Sequence, residues 1–172
     1  MELSGKRIAL LVEDRYQMLE FWYPLIRLRE AGAEVTVVGR EKGKVHTSER
    51  GYEARADIAA GEAQAGDYDA IVIPGGYAPD RMRRNPAMVE LVKELYQQEK
   101  VVAAICHAGW MLASSDIIRG KRLTSVLNIK DDLVNAGATW LDEPVVRDGN
   151  LITSRTPADL PFFCREIISA LS

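Results

Sequence analysis

Cysteine is scarce in this chain, which has only Cys106 and Cys164 among its 172 residues. The two lie far apart in sequence, and residues 1–7 lead directly into a short apolar strand without the pattern of a secretory signal. Both observations favour a reducing compartment. We therefore expect a cytoplasmic protein.

An excess of positive charge and a long apolar run are also absent. The chain has 22 Lys and Arg against 25 Asp and Glu, a net charge of −3, so nothing indicates a nucleic-acid partner. We interpret the basic cluster at residues 81–84 as a solvated face. No apolar run approaches the length that spans a membrane, so we expect no membrane association. The length predicts a single domain over residues 1–172.

Metal-ligand spacing is missing as well. No set of His, Cys and carboxylate residues is spaced like a metal site, so the sequence predicts no metal and no cofactor. One of the two histidines, His46, falls in a predicted hairpin, and we interpret it as a surface residue. Cys164 lies in an apolar helical pattern, and a buried cysteine of this kind is ordinarily inert.

What the chain does contain is an alternation of strands and helices. Its strands are apolar at every position rather than at every second position. This pattern indicates a mainly parallel sheet covered by helices on both faces. The fold class expected is therefore a three-layer α/β sandwich. Strands are predicted at residues 7–12, 34–38, 70–73 and 101–105, helices at 18–31, 86–98 and 108–113, and hairpins at 44–54 and 145–153.

The position of Cys106 is the most informative feature. It follows the apolar strand 101–105 and precedes a helix, so its sulfur is expected to face free backbone N–H groups that favour the thiolate. Ala104 and Ala108 are small enough for a sharp strand–helix turn. Most free cysteines are inert, but this position and the adjacent His107 favour a reactive sulfur.

Two glycines follow another strand, at Gly75 and Gly76. Loops at the carboxyl ends of parallel strands converge, so this pair is expected close to Cys106. Backbone N–H groups at these glycines, with that of His107, would form a hole for an oxyanion or an oxidised sulfur. An equally good interpretation is that the glycines only permit a tight turn.

Five segments together resemble one family over nearly the whole chain. They are residues 23–32, 73–80 with Pro-Gly-Gly, 104–109 with Ala-Ile-Cys-His-Ala-Gly, 129–137 and 153–160. The chain closely resembles the PfpI-like intracellular peptidases of the ThiJ/PfpI superfamily. That family has a flavodoxin-like fold of the class I glutamine amidotransferase-like kind, which the resemblance implies here.

The resemblance also implies roles for individual residues. Cys106 matches the family nucleophile and His107 the neighbouring base. The carboxylate of the triad comes from another subunit in such proteins, and the matching residue here is Asp80, one methylene shorter than the usual Glu. The resemblance therefore implies a homodimer or higher homo-oligomer, in which Asp80 completes a neighbour's site.

One position departs from the family pattern. Relatives carry a Glu at the start of the first helix that meets the sulfur, and alignment on Tyr23 and Pro24 without gaps places Gln17 there. A Gln amide can donate a hydrogen bond to a thiolate or bind its oxygens, but it cannot titrate. Glyoxalase and deglycase activity in relatives depends on that Glu, so the departure weakens the expectation of these activities here. We interpret the loop acids Glu13 and Asp14 as solvated.

Three functions remain open on the sequence. The first is a cysteine hydrolase acting on peptides, on other acyl-type bonds or on glycated adducts, with a peptide or small-molecule substrate. The second is a stress or redox-sensing protein in which Cys106 is oxidised, with little hydrolase or glyoxalase activity. The third is a structural or chaperone-like dimer, which requires an ordinary thiol at Cys106.

Overall fold

A central sheet of seven strands organises the molecule. The computed structural model describes residues 1–172, and the sheet order is β10-β11-β7-β6-β1-β2-β5, with two further two-stranded sheets, β3-β4 and β8-β9. The strands are β1 (Arg7–Leu11), β2 (Glu34–Gly39), β3 (Val45–Thr47), β4 (Glu53–Arg55), β5 (Ile58–Ala59), β6 (Ala70–Ile73), β7 (Val101–Ile105), β8 (Arg122–Leu123), β9 (Thr139–Trp140), β10 (Val145–Asp148) and β11 (Leu151–Ser154).

The sheet is parallel except at one edge. Strands β5, β2, β1, β6, β7 and β11 pair in parallel, and β10 pairs with β11 in antiparallel fashion. Every residue of β6 and β7 is buried, as expected for strands covered on both faces. The predicted mixed α/β sandwich with a mainly parallel sheet is confirmed.

Six helices cover the sheet. Helices α1 and α6 pack against each other on one face, while α4 packs against α2 and α3 on the other. Helix α1 follows β1 along the chain and α4 follows β7, so the amino ends of α1 and α4 lie at the carboxyl edge of the sheet. The helices are α1 (Met18–Glu30), α2 (Ala78–Met82), α3 (Pro86–Gln97), α4 (Gly109–Ser114), α5 (Lys130–Asn135) and α6 (Leu160–Leu171). No helix has both the length and the apolar character needed to cross a bilayer.

Helix α1 buries a different face from the one its apolar residues suggest. Leu19, Tyr23 and Ile26 lie on the solvent side, and Ile26 is 63% exposed. The buried side instead carries Glu20, Phe21, Pro24, Leu25 and Leu28. Because Glu20 and Leu28 are separated by eight residues, they share one face of the helix. A carboxylic acid therefore lies in the stripe that packs on the sheet.

The hairpins are placed as the sequence predicts, whereas three short strands were not predicted. Strands β3 and β4 form the first hairpin, and β10 and β11 form the second around Gly149, whose φ of 63° suits a tight turn. The unpredicted strands are the two-residue strands β5, which pairs with β2, and β8 and β9, which pair with each other. Strands of two residues are too short to leave a periodic pattern in a sequence.

Candidate functional site

Cys106 occupies a strained turn at the carboxyl edge of the sheet. It directly follows β7 and begins a single 3-10 turn, Cys106–Ala108, that continues into α4. Its φ is 62°, a left-handed conformation that non-glycine residues seldom adopt. Such conformations persist where the surrounding structure enforces them, commonly at functional sites. The residue is only 9% exposed, so the turn holds the sulfur at the edge of the core.

The carboxyl group of Glu20 lies against this sulfur. Glu20 is fully buried, and its Oε2 accepts a hydrogen bond of 2.8 Å from the backbone N–H of Gly75. The carboxyl group also lies close enough to the Cys106 thiol for each group to shift the pKa of the other, and its Oε1 has no hydrogen-bond partner. The acid that meets the sulfur in this chain is therefore Glu20.

The assignment of that position to Gln17 requires correction. The Gln17 side chain is the N-cap of α1, where its Oε1 accepts a hydrogen bond of 2.8 Å from the backbone N–H of Glu20. Its own backbone N–H donates to the carbonyl of Gly75 at 3.1 Å. Gln17 thus positions the first turn of the helix that carries Glu20. The alignment therefore placed the family Glu one helical turn too early, at the helix cap Gln17 instead of at the buried Glu20.

Burial dominates the ionisation of the Glu20–Cys106 pair. Desolvation raises the pKa of Glu20 to about 8, against a smaller opposing effect of the Gly75 hydrogen bond. Desolvation, followed by the negative charge of Glu20, raises the pKa of the Cys106 thiol to about 12. Because each group shifts the pKa of the other, the two titrate as a coupled pair.

This pair corrects the expectation of a freely formed thiolate. The sequence indicated only the N–H groups around the sulfur, which favour the charged form. In the structure the N–H groups of Gly76 and His107 do lower the pKa of Cys106, but burial and the Glu20 charge outweigh them. At neutral pH the carboxyl group of Glu20 therefore keeps its proton beside the sulfur.

The two glycines have separate roles. The N–H of Gly75 is taken by Glu20, so it is not free for an oxyanion, and this part of the predicted hole is wrong. A Cβ on Gly75 would lie 2.5 Å from Glu20 Oε2 and 2.7 Å from Cys106 Cβ. Gly76, with φ of 76°, keeps its N–H directed at the sulfur together with that of His107. Both N–H groups lower the pKa of the Cys106 thiol.

His107 is in contact with the sulfur. Its Nδ1 lies 3.4 Å from Cys106 Sγ, and its ring packs against Trp110 with centroids 5.2 Å apart. Burial lowers the pKa of His107, and no charged group of the same chain contributes to the shift. A neutral imidazole at this distance can accept the thiol proton.

Asp80 does not reach His107 within the chain. It lies on α2, exposed, in a cleft of about 630 Å³ whose other lining residues are Arg40, Arg81, Arg84, Asn85 and Pro86. Helix α2 packs against the turn at Cys106–Ala108, but no residue of that turn lines the cleft. Asp80 can therefore act on a histidine only if that histidine belongs to another chain.

A second polar cluster lies after β1, where sequence reasoning expected none. His46 is fully buried, not at the surface, and its Nδ1 lies 3.2 Å from Glu13 Oε1 and 3.4 Å from Asp14 Oδ1. Glu13 is only 1% exposed, so it is not solvated, and its Oε2 accepts hydrogen bonds of 3.1 and 2.9 Å from Arg40.

The Glu13 carboxylate is held ionised by its neighbours. Burial alone would raise the pKa of Glu13, but the adjacent His46 ring, the hydrogen bond from the Asp14 backbone and the charge of Arg40 lower it to about 2. The three contributing segments are distant in sequence, so no spacing could show the cluster. Cys164 is buried on α6, and desolvation raises its thiol pKa to about 12, in keeping with an inert role.

Comparison with known proteins gives a consistent result over the whole chain. The chain is 39% identical to Deglycase PfpI of Pyrococcus furiosus, over 96% of this chain and 99% of the relative. It is also 39% identical to the putative cysteine protease YraA of Bacillus subtilis, over 97% of this chain and 99% of that protein.

A solved structure agrees with the fold. The chain superposes with a TM-score of 0.96 on a two-domain protein from Anabaena variabilis that contains DJ-1/ThiJ/PfpI-like and ferritin-like domains. The two are 46% identical, and the match covers 97% of this chain and 48% of that one, so the chain spans about half of the two-domain protein. The model of the DJ-1/PfpI family matches residues 6–170. The chain belongs to the DJ-1/PfpI family.

Proposed function

We propose that the protein is a cysteine-dependent hydrolase of the peptidase or deglycase class, with Cys106 as its nucleophile. The observation that carries the proposal is the strained turn at Cys106, where His107 Nδ1 lies 3.4 Å from the sulfur and the buried Glu20 carboxyl group lies close enough to shift the pKa of the thiol. An acid and a base on one sulfur suit acyl transfer. The names of the relatives, deglycase and putative cysteine protease, support this class.

The reaction follows from the positions of these groups. Neutral His107 accepts the thiol proton, and the sulfur attacks a carbonyl carbon, so an S–C bond forms while the carbonyl π electrons move to oxygen. The N–H groups of Gly76 and His107 lie where they can stabilise that oxyanion. Its collapse breaks the bond to the leaving amine, which takes a proton from His107. Water then cleaves the thioester, giving the acid and restoring the thiol.

Glu20 restores the acid–base chemistry that a Gln at this position would have removed. Since its pKa is raised to about 8, it can give and take a proton near neutral pH. Glycated adducts, whose release requires proton transfers at neighbouring oxygens, are therefore within the proposed substrate class along with peptides.

We also propose that the active form is a homo-oligomer in which Asp80 supports a neighbour's His107. No charged group of the same chain shifts the pKa of His107, and Asp80 is exposed on α2, the helix that packs against the Cys106–Ala108 turn. The exposed apolar side chains of Leu19, Tyr23 and Ile26 on α1 support self-association. A carboxylate on the histidine would fix its tautomer and stabilise the imidazolium.

One observation favours a second function, redox sensing at Cys106. A protonated Glu20 and the N–H groups of Gly76 and His107 are donors that would bind the oxygens of an oxidised sulfur. In that function a peroxide takes two electrons from the thiolate, giving sulfenic acid and water, and a second peroxide gives sulfinic acid. Mass spectrometry after mild peroxide separates the functions, because Cys106 oxidised no more than Cys164 would eliminate the second.

Turnover in cysteine variants tests the main proposal. The wild type, Cys106→Ala and Cys164→Ala are assayed on a chromogenic peptide and on a methylglyoxal-treated amino acid. We expect turnover of at least one substrate to be lost in Cys106→Ala and kept in Cys164→Ala, with covalent trapping of Cys106 by an electrophilic analogue. Turnover that persists without Cys106 would rule the proposal out.

A further inference from the structure

The structure assigns a binding site for a divalent transition-metal ion to Glu13, Asp14 and His46. The ligand atoms these residues offer all lie within 4.8 Å of one another. Glu13 and Asp14 lie in the loop that follows β1 and His46 lies in β3, so the fold brings two separate segments together. The cluster lies outside the groups proposed to act on substrate.

The position of the His46 ring points to a ligand between the carboxylates. Its Nδ1 lies 3.2 Å from Glu13 Oε1 and 3.4 Å from Asp14 Oδ1, yet it makes a well-aligned hydrogen bond with neither. Two atoms bound to one ion at about 2.1 Å are separated by roughly 3.0 to 3.4 Å at octahedral and tetrahedral angles. Both N···O distances agree with a shared ion.

A simple ion pair accounts for these contacts less well. At full burial neither ring nitrogen of His46 has a hydrogen-bond partner. Leaving buried polar atoms without partners costs free energy. A cation bound to Nδ1 would supply the missing partner on the side of the ring that faces the carboxylates. With Arg40 beside them, the two carboxylates leave net negative charge, which a cation offsets.

Outer contacts hold the carboxylates in place. Glu13 Oε1 accepts a hydrogen bond of 2.9 Å from the backbone N–H of Asp14, and Asp14 Oδ1 accepts one of 3.2 Å from that of Thr47. Arg40 donates to the other oxygen of Glu13. Metal sites commonly orient their ligands through such surrounding hydrogen bonds.

The ligand chemistry selects the class of ion. Imidazole with two carboxylates suits Zn²⁺ and similar transition metals, whereas Mg²⁺ and Ca²⁺ prefer oxygen alone. Asp14 is 37% exposed, which lets solvent reach the site and supply water as a further ligand. An ion here would tie the β3–β4 hairpin to the loop before α1, where Glu49 of the hairpin already accepts a hydrogen bond from the Met18 N–H. The ion would therefore stabilise the loop between β1 and α1, the helix that carries Glu20.

Binding of Co²⁺ and Zn²⁺ to the purified, metal-free protein tests the site. We expect one Co²⁺ per chain, with visible d–d bands and no thiolate-to-metal charge-transfer band, and a higher melting temperature with Zn²⁺. Asp14→Asn, at a partly exposed position that should leave the fold intact, is expected to weaken binding at least tenfold. The matched control Asp67→Asn removes an exposed acid elsewhere and should bind as the wild type does.

Cys106→Ala separates this site from metal capture at the thiol and His107. Binding retained in Cys106→Ala and weakened in Asp14→Asn and His46→Gln supports the assignment. Three results would overturn it: no binding by the wild type, equal affinity in Asp14→Asn, or a thiolate band that disappears with Cys106. Near-ultraviolet circular dichroism of Asp14→Asn confirms that its fold is retained.

Discussion

Glu20 Oε2 accepts a hydrogen bond of 2.8 Å from the backbone N–H of Gly75, and this contact holds the carboxyl group against the thiol of Cys106. The glycine is required because a Cβ there would overlap both partners. Gln17 fixes the same arrangement from the other side, since it caps the helix turn that carries Glu20. The positions of the Glu20 carboxyl group, the Cys106 sulfur and the Gly75 N–H therefore depend on one another.

Substitution of the acid should separate the roles of Glu20 and Gln17. Glu20→Gln keeps the shape and the acceptor for Gly75 but cannot exchange a proton, so we expect turnover to fall by about 100-fold or more. Gln17→Ala removes only the helix cap and should cost roughly 1 kcal/mol of stability, with turnover largely kept. Steady-state kinetics and urea unfolding of both variants check this. If Gln17→Ala loses more turnover than Glu20→Gln, then Gln17 rather than Glu20 is the side chain that acts on the sulfur.

The stability of the protein should depend on pH through Glu20. Its pKa rises from 4.5 when unfolded to about 8 when folded, so the folded state retains the proton longer. Relative to Glu20→Gln, the wild type is then most stable below pH 4.5 and loses up to about 5 kcal/mol as the pH rises to 8. Urea denaturation of both proteins between pH 4 and 9 measures this difference. A difference that does not change with pH would contradict the raised pKa.

Addition of one methyl group at Gly75 should damage the site. In Gly75→Ala the new Cβ overlaps Glu20 Oε2 and Cys106 Cβ, so we expect a loss of about 1 to 3 kcal/mol and a large drop in Cys106 alkylation and turnover. Gly61→Ala is the matched control, because nothing lies within 4 Å of its Cβ. Its stability should change by less than about 0.5 kcal/mol. Equal behaviour of the two variants would be inconsistent with the packing described.

Mixing of two inactive variants should reveal whether Asp80 acts between subunits. Cys106→Ala lacks the sulfur, and Asp80→Asn lacks the carboxylate proposed to support a neighbour's histidine. Coexpressed chains would form some sites with Cys106 from one chain and Asp80 from another, so we expect activity above that of either variant. Activity is measured on the mixed oligomer isolated with two affinity tags. If the mixture is no more active than Asp80→Asn alone, Asp80 does not act in this way.

The sequence predicted the parts of the molecule that depend on local pattern. Apolar strands such as β6 and β7 and the turn at Cys106 follow from periodicity and from a cysteine between a strand and a helix. The convergence of Gly76 and His107 on the sulfur follows from the edge at which parallel strands end. These features require only neighbours in sequence and the topology of a parallel sheet.

The features that were missed depend on burial. Glu20 lies four residues before Pro24 and eight before Leu28, on the stripe that packs on the sheet, and that spacing was the available signal. The more hydrophobic Leu19 and Ile26 obscured it, although they face solvent. The Glu13–His46 contact joins residues 33 positions apart through the β3–β4 hairpin. Periodicity carries no information on such a pair.

The ionisation of Glu20 tests the central claim most directly. Protein labelled with ¹³C at the Glu side-chain carboxyl carbons is titrated by NMR, and the Glu20 resonance is identified by its absence in Glu20→Gln. We expect its midpoint near pH 8, because desolvation outweighs the Gly75 hydrogen bond. A midpoint near the ordinary value of 4.5 would contradict a protonated acid beside Cys106 at neutral pH.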